Sequence, residues 1–228
     1  MADQANGASN GIAGRTVLIA GATSASGRTV ARALVDAGAT VIAVGSDQGR
    51  IDELVAEIPG VHGERADLAD GDEVLELAMR VHAHLGDVDG IVHLVGGWRG
   101  GGGIPGQTDE DYRVLERSFT ALRHVSRAFW DDLLASRAGR IAIVSSTTVE
   151  RPTAGGANYT AVKAASESWM RSLAQGFAKA GAPAAAVTFR VQSLAGLEGR
   201  LAASVVELWR ADASTDAERN GSVVELSA

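Results

Sequence analysis

Tyr159 and Lys163 stand four residues apart in Tyr159-Thr160-Ala161-Val162-Lys163. On a helix that spacing puts both side chains on one face. A phenol with a pKa near ~10 is a poor acid or base at neutral pH, and a neighbouring ammonium favours the phenolate and brings it toward working range. Ser146, thirteen residues upstream at the end of an apolar run, adds a hydroxyl able to hydrogen-bond a substrate oxygen. Together the three groups suit proton transfer to or from such an oxygen. A Tyr–Lys pair at this spacing also occurs in helices for structural reasons alone, so the elements around it decide.

A second cluster offers binding rather than chemistry. Gly21-Ala22-Thr23-Ser24-Ala25-Ser26-Gly27 follows the β-prone run Thr16-Val17-Leu18-Ile19-Ala20 and precedes Val30, Ala33, Leu34 and Ala37 at helical spacing. In a strand–turn–helix unit, backbone amides and the helix dipole can hold a pyrophosphate. A plain structural turn would account for the glycines equally well without that position in the unit.

The positioning elements follow from periodicity. Strands are expected at residues 16–20, 41–44, 61–66, 91–95, 140–145, 185–191 and 223–226. Helical faces fall between them: Ile51, Leu54, Val55 and Ile58; Val74, Ala78, Val81 and Leu85; then a long helix opened by Thr108 and running through Leu115, Phe119, Leu122, Val125, Phe129 and Leu133. Further helices are expected over 158–179 and 201–210. Strands alternating with amphipathic helices predict a Rossmann-like, doubly wound α/β fold with a mainly parallel seven-stranded sheet covered on both faces. Ligands of such sheets bind at the carboxyl ends of the strands. Residues 1–13, small and polar, are expected to be a loose tail, and 14–228 one domain.

Bulk properties narrow the partners. A net charge of −7 lacks the basic field that a phosphate backbone requires, which argues against nucleic acid. The absence of Cys excludes disulfides and thiolate metal sites, and no other metal-ligand set stands out. The apolar runs fall short of the ~20 residues a bilayer demands. A start without the basic and apolar blocks of a secretion signal gives a cytoplasmic expectation.

With these pieces in order, the chain resembles the short-chain dehydrogenase/reductase family over roughly residues 14–226. Its turn fingerprint, Thr-Gly-x-x-x-Gly-x-Gly, reads here Ala20-Gly21-x-x-x-Ala25-x-Gly27. The resemblance places Gly21, Thr23, Ser24, Ala25, Ser26 and Gly27 against a dinucleotide. Ala25 departs, putting a methyl where backbone should approach the cofactor and resisting a positive φ. Ser46 follows Gly45 at the end of strand two, where an acid would select NAD. Without that acid, and with Arg28 and Arg50 in the neighbourhood, the resemblance implies NADP, with NAD the alternative.

Asp67-Leu68 resembles the family pair whose Asp reaches the adenine. His93-Leu94-Val95-Gly96 stands for Asn-Asn-Ala-Gly; Val95 and Gly96 then border the cofactor, and His93 is read as a hydrogen-bonded structural residue. Ser146, Tyr159 and Lys163 match the catalytic register, and Ser118 stands at the place of the catalytic Asn. The implied activity passes a hydride between nicotinamide and a small carbonyl or alcohol substrate. Tyr159 serves as acid or base, while Lys163 holds the nicotinamide ribose and lowers the Tyr pKa.

The resemblance also implies homodimers or homotetramers, formed through the long helices. After strand six, Gln192-Ser193-Leu194-Ala195-Gly196 replaces the expected Pro-Gly, and little chain remains for a substrate cap. The pocket is then open, or roofed by Trp98 and its glycine loop. Ala25, Ser118 and the missing cap also admit a second reading, a cofactor-binding or structural subunit whose catalysis has decayed.

Overall fold

A computed structural model describes residues 11–210 and 216–227. Seven strands form one sheet: β1 (Thr16–Ala20), β2 (Thr40–Gly45), β3 (Val61–Arg65), β4 (Gly90–His93), β5 (Arg140–Ser146), β6 (Ala185–Val191) and β7 (Val223–Glu225). The order is β3-β2-β1-β4-β5-β6-β7, and every pairing is parallel. The doubly wound α/β fold expected from the alternating pattern is therefore the fold observed.

Helices α1 (Ala25–Asp36), α2 (Gln48–Glu57) and α7 (Glu198–Glu207) cover one face. On the other lie α3 (Gly71–Leu85), α4 (Asp109–Ala128), α5 (Trp130–Ala135) and α6 (Ala157–Ala180). A four-residue helix, α8 (Asp216–Arg219), precedes β7. Successive strand residues feed opposite cores: Val17 and Ile19 pack under α1 and α7, whereas Leu18 and Ala20 face α3 and α4. Full burial on both sides is what makes these strands continuously apolar rather than alternating.

Several boundaries moved for identifiable reasons. β4 stops at His93, two residues before the expected end, because its partner β1 ends at Ala20 and the chain then bends away at Gly21. The long helix after Thr108 is two helices, since Phe129 leaves helical geometry (φ −108°, ψ 20°) as its ring enters the core. The last long helix begins at Glu198 and ends at Glu207, against an expectation of 201–210.

Of the segment expected to be a loose tail, residues 1–10 lie outside the described residues, but Ile12 is 6% exposed and packs into the core. No helix among the described residues is long and apolar enough to cross a membrane.

Candidate active site

The strand order reverses between β1 and β4, and the crevice there is where doubly wound sheets bind ligands. Two compartments open along it and share Val95. The smaller, about 210 Å³, is lined by residues including Gly21, Thr23, Ser46, Asp67, Leu68 and Arg117. The larger, about 420 Å³, is bordered by Ser24, Ser26, Gly96, Ser146, Tyr159 and Lys163 among others. Of the residues expected to meet a cofactor, only Ala25 and Gly27 border neither compartment.

Gly21 and Gly27 build the turn that shapes the crevice. Gly21 sits at φ +84°, and a Cβ there would lie 2.9 Å from the Val95 amide nitrogen. At Gly27 an added Cβ would fall 2.4 Å from the Ala22 carbonyl oxygen, so glycine lets α1 start tight against β1. Ser24 caps α1, its Oγ accepting from Gly27 N at 3.0 Å. Ala25, expected to resist a positive φ, begins the helix instead; no non-glycine residue among those described has φ above zero. Its methyl is compatible with the turn. Backbone approaching where no Cβ fits, with a helix N-terminus behind it, suits a dinucleotide's phosphates.

Around the smaller compartment, Asp67 is already engaged. Its carboxylate accepts from Arg117 Nη2 at 2.8 and 2.6 Å and from Ala69 N at 3.0 Å. Burial pushes the Asp67 pKa up, but these donors prevail and hold it below the usual carboxylate range. Arg117 was not anticipated from sequence; its signal is only that α4 carries a cation level with the end of β3. Arg28 pairs with Glu57 and Glu53 of α2, which ties it down on the helix surface. Arg50 reaches across to the Thr23 carbonyl at 3.0 Å and so stands at the turn itself.

In the larger compartment β5 and α6 bring the three chemical groups together. Ser146 is the last residue of β5; Tyr159 and Lys163 are one turn apart on α6. Ser145, the alternative serine, is fully buried and donates to Glu167 at 2.7 Å. Ser146 Oγ accepts from Thr148 N at 3.2 Å and from Thr148 Oγ1 at 3.0 Å, and Thr160 Oγ1 donates to Thr148 Oγ1 at 3.2 Å. A hydroxyl has two acceptor sites and one proton. With both acceptor sites used, the Ser146 O–H is left to donate, and the Tyr159 phenol stands on that side as its partner.

Thr148 is thus an orienting residue that sequence reasoning missed. Thr148→Val is expected to lower kcat/KM about fivefold, matching the ~1 kcal/mol net worth of one hydrogen bond. NADPH affinity should not change, which a fluorescence titration of the same variant checks.

Against the expectation that Lys163 lowers it, the Tyr159 pKa is raised: burial drives the rise, and the Ser146 hydroxyl opposes it without cancelling it. Lys163 donates to the Val144 carbonyl at 2.8 Å, and its Nζ lies 5.8 Å from the Tyr159 ring centre. Burial lowers the Lys163 pKa to about 8, with the Glu167 carboxylate pulling the other way. Between pH 8 and the ordinary value of 10.5, the unfolded lysine holds a proton that the folded one has released. Stability contributed by this group therefore rises with pH through that window. Measured as thermal midpoints from pH 8 to 10, wild type should gain stability relative to Lys163→Met.

Ser118 is not brought into the cavity. Its hydroxyl donates to Leu115 O of its own helix at 2.7 Å, and only its carbonyl faces inward, toward His93 Nε2 at 3.0 Å. The serine side chain is too short to reach past its own helix, so the role expected from the matching position is not supplied by this hydroxyl. Trp98 borders the cavity while 65% exposed, on a glycine loop that the Gln107 amide pins to the Gly101, Gly103 and Gly155 carbonyls. Gln192, Ser193 and Leu194 close the far wall. Away from this site, Asp132 accepts from His82 Nε2 at 2.8 Å and from Val88 N at 3.0 Å, fastening α5 to α3.

The short chain dehydrogenase family model matches residues 15–195. Among curated relatives, nodulation protein G of Rhizobium meliloti (strain 1021) is 34% identical over 170 residues, covering 72% of this chain and 67% of that protein. An uncharacterized oxidoreductase of Bacillus subtilis (strain 168), YvrD, is 31% identical over 165 residues; the match covers 71% of this chain but 62% of the Bacillus protein, less than two thirds of its length. A short chain dehydrogenase of Shigella flexneri 2a, solved in complex with NADP, superposes with a TM-score of 0.83 at 19% identity, covering 93% of this chain and 97% of that one. At that identity the likeness is one of fold. Fold and family model agree on the class, a Rossmann-like α/β protein of the short chain dehydrogenase kind. The chain belongs to the short chain dehydrogenase family.

Proposed function

We propose that the protein is an NADP(H)-dependent oxidoreductase that interconverts a carbonyl compound and its alcohol. The observation that carries this reading is the convergence of Ser146, Tyr159 and Lys163 on one cavity continuous with the glycine turn. The chemistry a bound nicotinamide supplies is hydride transfer to or from the substrate carbon. This chain's part is to hold the oxygen and manage its proton. Ser146 donates to the substrate oxygen; Tyr159 gives or takes the proton; Lys163 stabilises the phenolate and offers its remaining N–H groups to the cofactor's ribose. Gly21, Thr23, Ser46, Asp67 and Leu68 would hold the adenosine half, and Ser24, Ser26, Val95 and Gly96 the phosphates and nicotinamide half.

Substrate would lie against Trp98, Leu94, Leu194 and Val191, a lining whose single charge is Lys163 once His93 is neutral. That supports a small, uncharged aldehyde or ketone. An open groove lined by Arg127, Trp130, Trp169, Leu173 and Gly176 supports self-association through these helices.

Incubation with NADPH and a panel of aliphatic and aromatic carbonyls tests the reading. Oxidation of NADPH by at least one of them is the expected result; tight binding with no turnover across the panel would instead favour the decayed-subunit reading. The preference for NADP rests on Arg50, whose guanidinium lies on the Thr23 carbonyl; Thr23 and Ser46 both line the smaller compartment. Arg50→Glu should weaken NADPH binding about tenfold or more, the loss of one charge-assisted contact. NADH binding should hold, and equal loss for both cofactors would refute the assignment.

A further inference from the structure

Of the four tryptophans in the chain, three are packed or bonded in place. Trp130 stacks on Phe177 with ring centres 4.7 Å apart, and Trp169 meets Phe119 edge to face and donates to Ser126 Oγ at 2.9 Å. Trp209 is 2% exposed and donates to the Ala138 carbonyl at 3.0 Å. Trp98 has neither a ring partner nor a hydrogen bond among the described residues. It is 65% exposed, and it borders the larger compartment together with Ser146 and Tyr159.

A lone exposed indole is ordinary on a protein surface. This one is set apart by the backbone that carries it, which is fastened at several points. Arg99 pairs with Asp111 of α4 at 3.6 Å, and Gly101 N donates to the Gly155 carbonyl at 2.8 Å. The Gln107 amide donates to the Gly101, Gly103 and Gly155 carbonyls at 3.0, 3.2 and 3.0 Å, while its Oε1 accepts from Asn158 N at 3.1 Å. One side chain therefore joins the loop of Trp98 to the residue just before Tyr159. At Gly100 an added Cβ would fall 2.4 Å from the Gly155 oxygen and 3.1 Å from Trp98 Cζ2, so the loop backbone lies against both the turn before α6 and the indole.

A ring held by fixed backbone loses little freedom when a ligand covers it. A flat aromatic group gains from offset stacking or an edge contact on an indole, beyond the area it buries, and a saturated ring of the same size does not share that gain. Because Ser146 and Tyr159 share the compartment, the group that covers Trp98 is the one attached to the reacting carbonyl. We propose that Trp98 is a specificity-determining residue that selects carbonyl compounds bearing an aromatic ring, and that Gln107 is the positioning residue that holds it at the cavity. The inference rests on the oxidoreductase reading above and names the substrate class for that site.

The test reads the ratio of kcat/KM for benzaldehyde to that for cyclohexanecarbaldehyde, with NADPH and the full chain. Comparing this ratio between variants cancels the different intrinsic reactivity of the two aldehydes. Trp98→Leu should lower it about three- to tenfold, the range of one ring–ring contact, and Trp98→Phe should hold it within about twofold. Gln107→Glu still accepts from Asn158 N but cannot donate to the three carbonyls. It should lower the ratio as well, through a higher KM for benzaldehyde rather than a lower kcat, a split that general loosening of the fold would not produce. A ratio unmoved by Trp98→Leu would overturn the proposal, and one moved by Trp98→Leu but not by Gln107→Glu would remove Gln107 from it.

A measurement independent of turnover covers a wild type that proves inactive. In full-length protein carrying ¹⁵N-tryptophan and saturated with NADPH, benzyl alcohol should shift the Trp98 indole resonance, assigned by its loss in Trp98→Phe. Cyclohexylmethanol should shift it several-fold less. Equal responses to the two alcohols would sink the proposal. Aldehydes that go unreduced while Trp98 still singles out benzyl alcohol would sink the oxidoreductase reading alone.

Discussion

Tyr159→Phe is expected to lower carbonyl turnover by roughly 100- to 10,000-fold, the usual contribution of a positioned acid–base group. The phenol lines the larger compartment beside Ser146 and one helical turn from Lys163, and burial, only partly opposed by the Ser146 hydroxyl, keeps it protonated until it acts. Phenylalanine keeps the ring and its packing, so the thermal midpoint and NADPH affinity should barely move. The loss should appear in kcat and kcat/KM alike, because the proton moves only on the way to the transition state. A variant with wild-type kcat would remove Tyr159 from the chemistry.

Arg190→Met is expected to destabilise the fold by about 3–5 kcal/mol, the cost of leaving a buried carboxylate without its partner. Glu167 is 2% exposed; it accepts from Arg190 Nε at 2.9 Å and Nη2 at 2.7 Å, and from Ser145 at 2.7 Å. Arg190 also pairs with Glu150. Burial raises the Glu167 pKa, and the Arg190 and Ser145 hydrogen bonds more than reverse this, so the net shift is downward. Its stabilising share is therefore present at neutral pH and lost as pH falls through the carboxylate range.

Urea unfolding of the single variant and of Arg190→Met with Glu167→Leu distinguishes the cause. The double variant should recover most of the loss, since an apolar pair leaves no charge stranded. The pair also lies one turn beyond Lys163, whose charge Glu167 supports, so its disruption reaches the site as well as the core.

Much of the architecture could be read from the chain because its signals are local. A five-residue apolar run, a glycine turn and a helical face at 17–37 admit few folds, and β1–α1 lies where they place it. Ser146, Tyr159 and Lys163 meet because strand end and helix start are both fixed by periodicity, and Ser145 faces away by strand alternation.

What was not legible depends on packing between distant stretches. Thr148 orients Ser146 only because a short 3-10 turn at Thr147–Val149 folds it back, and Thr160 joins from α6. Arg117 meets Asp67 across fifty residues. Ser118 stood at a promising position, but position does not say which way a short hydroxyl will turn. The break at Phe129 has no Pro or Gly to announce it, and the ring is fully buried.

The measurement that tests the account most directly follows the hydride itself. NADPH deuterated at the transferable position of C4 is incubated with the protein and the carbonyl panel, and the alcohol formed is analysed by mass spectrometry. The account predicts deuterium on the carbinol carbon with wild type and a loss of labelled alcohol in step with the kcat of Tyr159→Phe. A protein that binds NADPH in this crevice yet moves no label to any aldehyde or ketone would contradict it.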